Sequence, residues 1–188
     1  NGDRHPLALT PPKTSADLRR LGKAISAVHF ITGGNMTHTP GYGALIALGT
    51  LNVLTRLNNS QEDIEKAEAY RESLAGTGRF LTFAGGGPLI GTRMRQDPDE
   101  RVAIRLVSET AEGIVVSGKI QMHTSTPFAE DLLITCRDEL PADSGRWLWF
   151  ILPVNSPGLR VVARRPAARH PNPFLSPLSS RFDELDAQ

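Results

Sequence analysis

Apolar residues recur at three- and four-residue intervals in the first part of the chain, and in short runs broken by turns in the second. Leu18, Leu21, Ile25 and Val28 share one face of a helix that this spacing predicts from Leu18 to Ile31. Thr14 and Asp17 precede it at the separation of a capping box, in which a hydroxyl and a carboxylate satisfy free N–H groups. Gly33-Gly34 ends it, because glycine accepts the left-handed conformation that helix stops often need. A second helix is expected after Pro40, carrying Leu45, Leu48, Leu51 and Leu54. A third, from Gln61 to Leu74, is capped by Ser60 and opens on acids that suit the helix dipole.

Gly76 and Gly78 mark a change of pattern. Strands are expected near Arg79–Ala84, Arg101–Val107, Ile114–Met122, Asp131–Arg137, Trp147–Val154 and Leu159–Arg164. No long helical stretch separates these runs, so antiparallel pairing is favoured over βαβ crossovers. Helices first and strands second make an α+β protein, with a helical domain over 1–78 and a β domain over 79–188.

A chain of 188 residues is long enough for one good core or two small ones. Its 21 basic and 20 acidic side chains nearly cancel, so no bulk field recruits nucleic acid or anionic lipid. The basic run from Arg160 to Arg169 is broken by Pro166 and reads as a solvated loop. Cys136 is the single cysteine, which excludes disulfides, four-cysteine zinc sites and cysteine-held iron–sulfur clusters within this chain. A reducing cytoplasm fits that usage. The longest apolar run, Trp147 to Val154, is too short to span a bilayer. Without a starting Met or a signal-like segment, Asn1 reads as a cut.

Three segments carry candidate chemistry. In Gly33–Tyr42, His38 and Tyr42 stand four apart and would share a face of an early-starting helix, where they could hold a phenol oxygen. The same residues also read as a helix–helix turn with a surface histidine. Leu81–Arg93 is glycine-rich but lacks both the Lys-Ser/Thr ending of a P-loop and GxGxxG, so by itself it reads as a plain β-turn rather than a phosphate cradle. Gly118–Ile134 reads as strand, hydroxyl-rich turn and strand; its hydroxyls and N–H groups suit the polar edge of an isoalloxazine, or a simple hydrophilic connection. His29, His38, His123 and His170 have no helical metal-ligand spacing, and the absence of G-x-S-x-G disfavours a hydrolase.

The stretch from Ser176 to Ala187, with its Pro177-Leu178-Ser179-Ser180-Arg181-Phe182-Asp183-Glu184 core, resembles a signature of the FADH2-dependent aromatic monooxygenases of the 4-hydroxyphenylacetate 3-hydroxylase family. In that family the signature links a β domain to a C-terminal helical domain, so a larger protein is expected. The resemblance extends in order to Ser15–Tyr42, Leu81–Arg93 and Gly113–Ile134. It implies an acyl-CoA-dehydrogenase-like fold with a middle antiparallel β-barrel or sandwich. It places Tyr42 and His38 at the substrate, His38 standing where the family has Arg, and Phe83 where the family has a substrate-site His. It places Leu89, Ile90, Gly91 and Thr92 along the flavin, with Gly91 replacing an Asp. Ser125 matches the flavin-contacting Thr, with Thr124 as the near alternative. Arg181, between Ser180 and Asp183, would fix the loop by charge-assisted hydrogen bonds.

What the resemblance implies for function is hydroxylation of a phenol by O2 through the C4a-hydroperoxide of FADH2, the FADH2 coming from a separate flavin reductase. A homo-oligomer, dimer or tetramer, is implied for the full-length form. Permanent bidentate recognition by Arg is lost with His38, which titrates. Two alternatives therefore stay open: a flavin enzyme of related fold with dehydratase or dehydrogenase chemistry, and a diverged or truncated domain without activity.

Overall fold

The computed structural model describes residues 7–34, 43, 45, 46, 48, 49, 52, 53, 60–85, 104–120, 124–135, 149–166 and 172–180. The chain divides into two compact units, Asn1–Leu81 and Thr82–Gln188.

The first unit is helical. A 3-10 turn, Leu7–Leu9, packs against helix α1 (Ser15–Ile31) and helix α2 (Gln61–Thr77). Between them Gly43, Leu45, Ile46, Leu48, Gly49, Asn52 and Val53 are helical, as the leucine spacing predicts. The capping box of α1 forms: Thr14 Oγ1 accepts from the Asp17 N–H at 3.1 Å, and the Asp17 carboxylate accepts from the Thr14 N–H at 2.9 Å. Thr32 caps the other end. Gly33 and Gly34 follow at φ 68° and 92°, and the Gly34 N–H donates to the His29 carbonyl. Helix α2 opens on Ser60, whose hydroxyl accepts from the Asp63 N–H, and closes on Gly78 in the left-handed region at φ 68°. It runs three residues beyond the predicted Leu74, because Gly78 rather than Gly76 supplies the stop. The Arg71 guanidinium in α2 donates to the Leu9 carbonyl at 3.1 Å, tying the 3-10 turn to the helix.

The apolar face expected of α1 is only partly buried. Leu21 is covered and Ile25 half-covered, whereas Leu18 and Val28 are exposed, and Phe30 and Ile31 stand 90% and 82% in solvent. Periodicity sets which residues share a face, but only neighbouring elements decide how much of it is buried.

From Thr82 onward the chain is built of strands: β1 (Leu81–Gly85, its first residue closing the first unit), β2 (Arg105–Thr110), β3 (Gly113–Ser117), β4 (Asp131–Thr135) and β5 (Trp149–Pro153). One sheet has the order β1-β4-β5; the other is the antiparallel pair β2-β3, joined by Ala111-Glu112 and bulged between Leu106 and Ser108. Among the described residues these sheets do not close into a barrel. β4 and β5 run antiparallel, with Leu132 opposite Leu152 and Ile134 opposite Phe150. Those residues share one face with Ala84 and meet Ile120 in the apolar cluster, against which Ile104, Ala129, Val154 and Leu159 also pack. All five residues of β4 are buried, as expected for the middle strand of its sheet. The α+β class and the antiparallel pairing agree with the sequence reading. The strand expected over Leu159–Arg164 does not form beyond an isolated bridge at Ala163. Its residues from Val162 to Arg165 are exposed, so no buried face secures a ladder.

Candidate functional site

The hydroxyl-rich turn between β3 and β4 is a well-defined polar feature of the second unit. Ser125 lies in the left-handed region at φ 60° and ψ 14°, the one described residue other than glycine with positive φ. A Cβ in that region costs about 1–2 kcal/mol, so the surrounding contacts must hold it there. They do so from two sides. Thr82 Oγ1, in β1, donates to the Thr124 carbonyl at 2.7 Å. On the other side Thr126–Phe128 forms a 3-10 turn, in which the Phe128 N–H donates to the Ser125 carbonyl and the Ala129 N–H to the Thr126 carbonyl. Pro127 favours that turn by its restricted φ. The chain then enters β4 directly.

Burial makes the turn chemically selective. Thr82, Ser125 and Thr126 are each 2% exposed. Among the described residues the Thr126 hydroxyl is buried without a hydrogen-bond partner, as is that of Thr135 at the end of β4. A buried hydroxyl lacking a partner costs about 1–3 kcal/mol, which a ligand atom at hydrogen-bond distance would relieve. The arrangement is a buried polar turn in which backbone N–H groups and hydroxyls are gathered beside β1. The resolved pKa displacements lie elsewhere, in local surface contacts. Asp17 is lowered, chiefly by the Thr14 hydroxyl; Glu112 is lowered, chiefly by the Thr110 hydroxyl; Lys66 is raised, chiefly by Glu62 at 2.7 Å.

Of the residues singled out in the sequence, Thr124 and Ser125 are adjacent in this turn. Phe83 is half-buried in β1, and strand alternation turns it away from the face that Thr82 and Ala84 share. His38, Tyr42, Leu89, Ile90, Gly91, Thr92 and Arg181 lie outside the described residues. Sequence reasoning passed over Thr82 and Thr126. The Thr124-Ser125-Thr126-Pro127 run already held a signal for Thr126, whereas nothing local marks Thr82, whose partner is 42 positions away. Among the described residues no three His, Cys, Asp or Glu side chains gather as a metal site, and no helix is long and apolar enough to cross a membrane.

The family model described as the N terminus of 4-hydroxyphenylacetate 3-hydroxylase matches residues 1–188. The chain is 31% identical over 190 residues to the oxygenase component of 4-hydroxyphenylacetate 3-monooxygenase from Thermus thermophilus, covering 98% of the chain and 38% of that relative. Among solved structures, it resembles such an oxygenase component in complex with FAD and 4-hydroxyphenylacetate, with a TM-score of 0.84 and 30% identity over 100% of this chain and 39% of that one. A 4-hydroxybutyryl-CoA dehydratase from N. maritimus shares the fold, with a TM-score of 0.68 and 16% identity over 86% of this chain and 33% of its own. The chain thus spans about two-fifths of the oxygenase components it matches.

Proposed function

The chain belongs to the 4-hydroxyphenylacetate 3-hydroxylase N-terminal family, and from that premise we propose that the whole protein is the oxygenase component of a two-component, FADH2-dependent aromatic monooxygenase. The observation that carries the reading is the buried hydroxyl-rich turn at Thr124–Thr126, held by Thr82, in a chain matched along its full length by a relative solved in complex with FAD. In this reading Thr124, Ser125 and the Leu89–Thr92 segment hold the flavin, which supplies reducing equivalents and activates O2 when bound. The chain's own residues bind, orient and exclude water. Tyr42 orients the phenol through its hydroxyl, His38 stabilises the phenolate, and Phe83 walls the pocket.

His38 in place of Arg removes a permanent bidentate partner for a carboxylate. The substrate is accordingly a phenol without a side-chain carboxylate rather than 4-hydroxyphenylacetate. Phe83 adds apolar surface and removes a proton donor, in the same direction. The reading includes a helical domain over 1–78 and a β domain over 79–188, with the two sheets as parts of one antiparallel barrel or sandwich. Packing of Ile104, next to β2, on the cluster of Ala84, Leu132 and Ile134 supports that last point. A separate flavin reductase, a cytoplasmic setting and a dimeric or tetrameric assembly complete it.

The test is oxygen consumption by the full-length protein with FADH2 and a panel of phenols with and without carboxylates, scoring catechol against H2O2. Catechol from the uncharged phenols is expected, and Tyr42→Phe should lower it while flavin binding persists. Peroxide alone across the panel would refute hydroxylation. Preference for 4-hydroxyphenylacetate would refute the assignment of substrate class.

A further inference from the structure

We propose that Gly43 is a positioning residue for the phenol site, acting through Tyr42; this rests on the reading of Tyr42 as a substrate contact. Gly43 is helical and buried. A Cβ built on it would stand 1.5 Å from the carbonyl oxygen of Leu81, 2.5 Å from its carbonyl carbon and 3.2 Å from its Cβ. Both residues belong to the first compact unit, and Leu81, which opens β1, is 2% exposed. The obstructing atoms are main chain, so they cannot swing aside as the end of a long side chain can. The helix therefore rests on Leu81 at backbone contact, an approach that only glycine permits.

Glycine is a poor helix former, and its presence inside a helix calls for a reason. Gly22, Gly49 and Gly76 are also helical, and a Cβ on any of them meets nothing within 4 Å. Gly43 alone among these four is required by contact. Alanine there would force helix and Leu81 apart by about 1.5 Å before the contact reached even 3.0 Å. Tyr42 is joined to residue 43 by a single peptide bond, so the displacement passes to it. A shift on the order of 1 Å in a substrate-orienting group can cost about 100-fold in rate.

The experiment compares Gly43→Ala, Gly49→Ala and Tyr42→Phe in the full-length protein. FADH2 is prepared anaerobically and then mixed with O2 and the best-used phenol of the panel. Gly43→Ala should lower catechol formation on the order of 100-fold in favour of H2O2, with FADH2 affinity kept; Gly49→Ala should match the unsubstituted protein. If Tyr42→Phe hydroxylates normally, the reading of Tyr42 fails, and the positioning role falls with it. If Tyr42→Phe is impaired and Gly43→Ala is not, the positioning role alone is overturned. Should Gly43→Ala fail to fold, amide exchange on the unsubstituted protein reads the same contact. Added phenol should slow exchange over 43–49 and over 79–82 together. Protection of the first segment without the second would overturn the inference.

Discussion

Replacing Thr82 with Val probes how the hydroxyl-rich turn is held. The two side chains have nearly the same shape, so the main loss is the 2.7 Å hydrogen bond from Oγ1 to the Thr124 carbonyl. Thr82 is 2% exposed, so water has little access to replace the hydroxyl. A hydrogen bond contributes about 0.5–1.5 kcal/mol net, and depriving a fully buried acceptor of its donor costs about 1–3 kcal/mol, an upper bound here because Thr124 is half-buried. In a chain of this length that lowers Tm by roughly 2–12 °C, read by circular dichroism. Thr82→Ser is the control: it keeps the hydroxyl and loses one methyl, at about 0.8 kcal/mol plus a small cavity. Stability alone does not separate the two variants, because both are destabilised. Flavin affinity does. If half of the loss in the Val variant falls on a turn that binds flavin, the full-length protein should bind FADH2 about 2- to 10-fold more weakly in anaerobic titration. Thr82→Ser should bind like the unsubstituted protein. A Val variant with unchanged Tm, or one that binds FADH2 as tightly as the Ser variant, would refute the argument.

Two further outcomes follow from the helical unit. Gly78→Ala places a Cβ in the left-handed region at φ 68° and should destabilise by about 1–2 kcal/mol, whereas Gly76→Ala, in open helical space, should stabilise by up to about 1 kcal/mol; urea midpoints read both signs. Asp17 accepts from the Thr14 hydroxyl at 2.8 Å and from two backbone N–H groups, and these bonds hold its pKa below the ordinary value of about 3.9. A folded-state pKa below the unfolded one gives stability that is complete above the unfolded value and is lost as pH falls through the folded one. Helicity of the unsubstituted chain should therefore decline on acidification below about pH 4, and Asp17→Asn should remove that part of the profile.

Legibility differed by the range of the interactions. The capping box at Thr14 and Asp17, the Ser60 cap and the stop at Gly33-Gly34 join residues within five positions of each other and are legible in the sequence, whereas the stop of α2 falls at Gly78, past the predicted Leu74. Strand β4 was readable from its unbroken apolar character, while the arginine-rich stretch after Gly158 had β-prone residues without a face to bury. At the site, the family resemblance singled out Ser125 and Thr124, while residue type alone left a plain hydrophilic connection open. The clamp from Thr82 was invisible, since its partner lies 42 residues away.

The order of the segments and the chemistry of their side chains are properties of the sequence itself, and they sufficed for the α+β class and the family resemblance. Local hydrogen bonds and the 3.6- and 2-residue periods act within a few positions, so they leave their marks in the string. Which face of α1 is covered, which hydroxyl of the turn lacks a partner, and which helical glycine meets a carbonyl were decided only when distant segments packed together. Those outcomes depend on excluded volume and burial between residues far apart in the chain, and no local pattern encodes them.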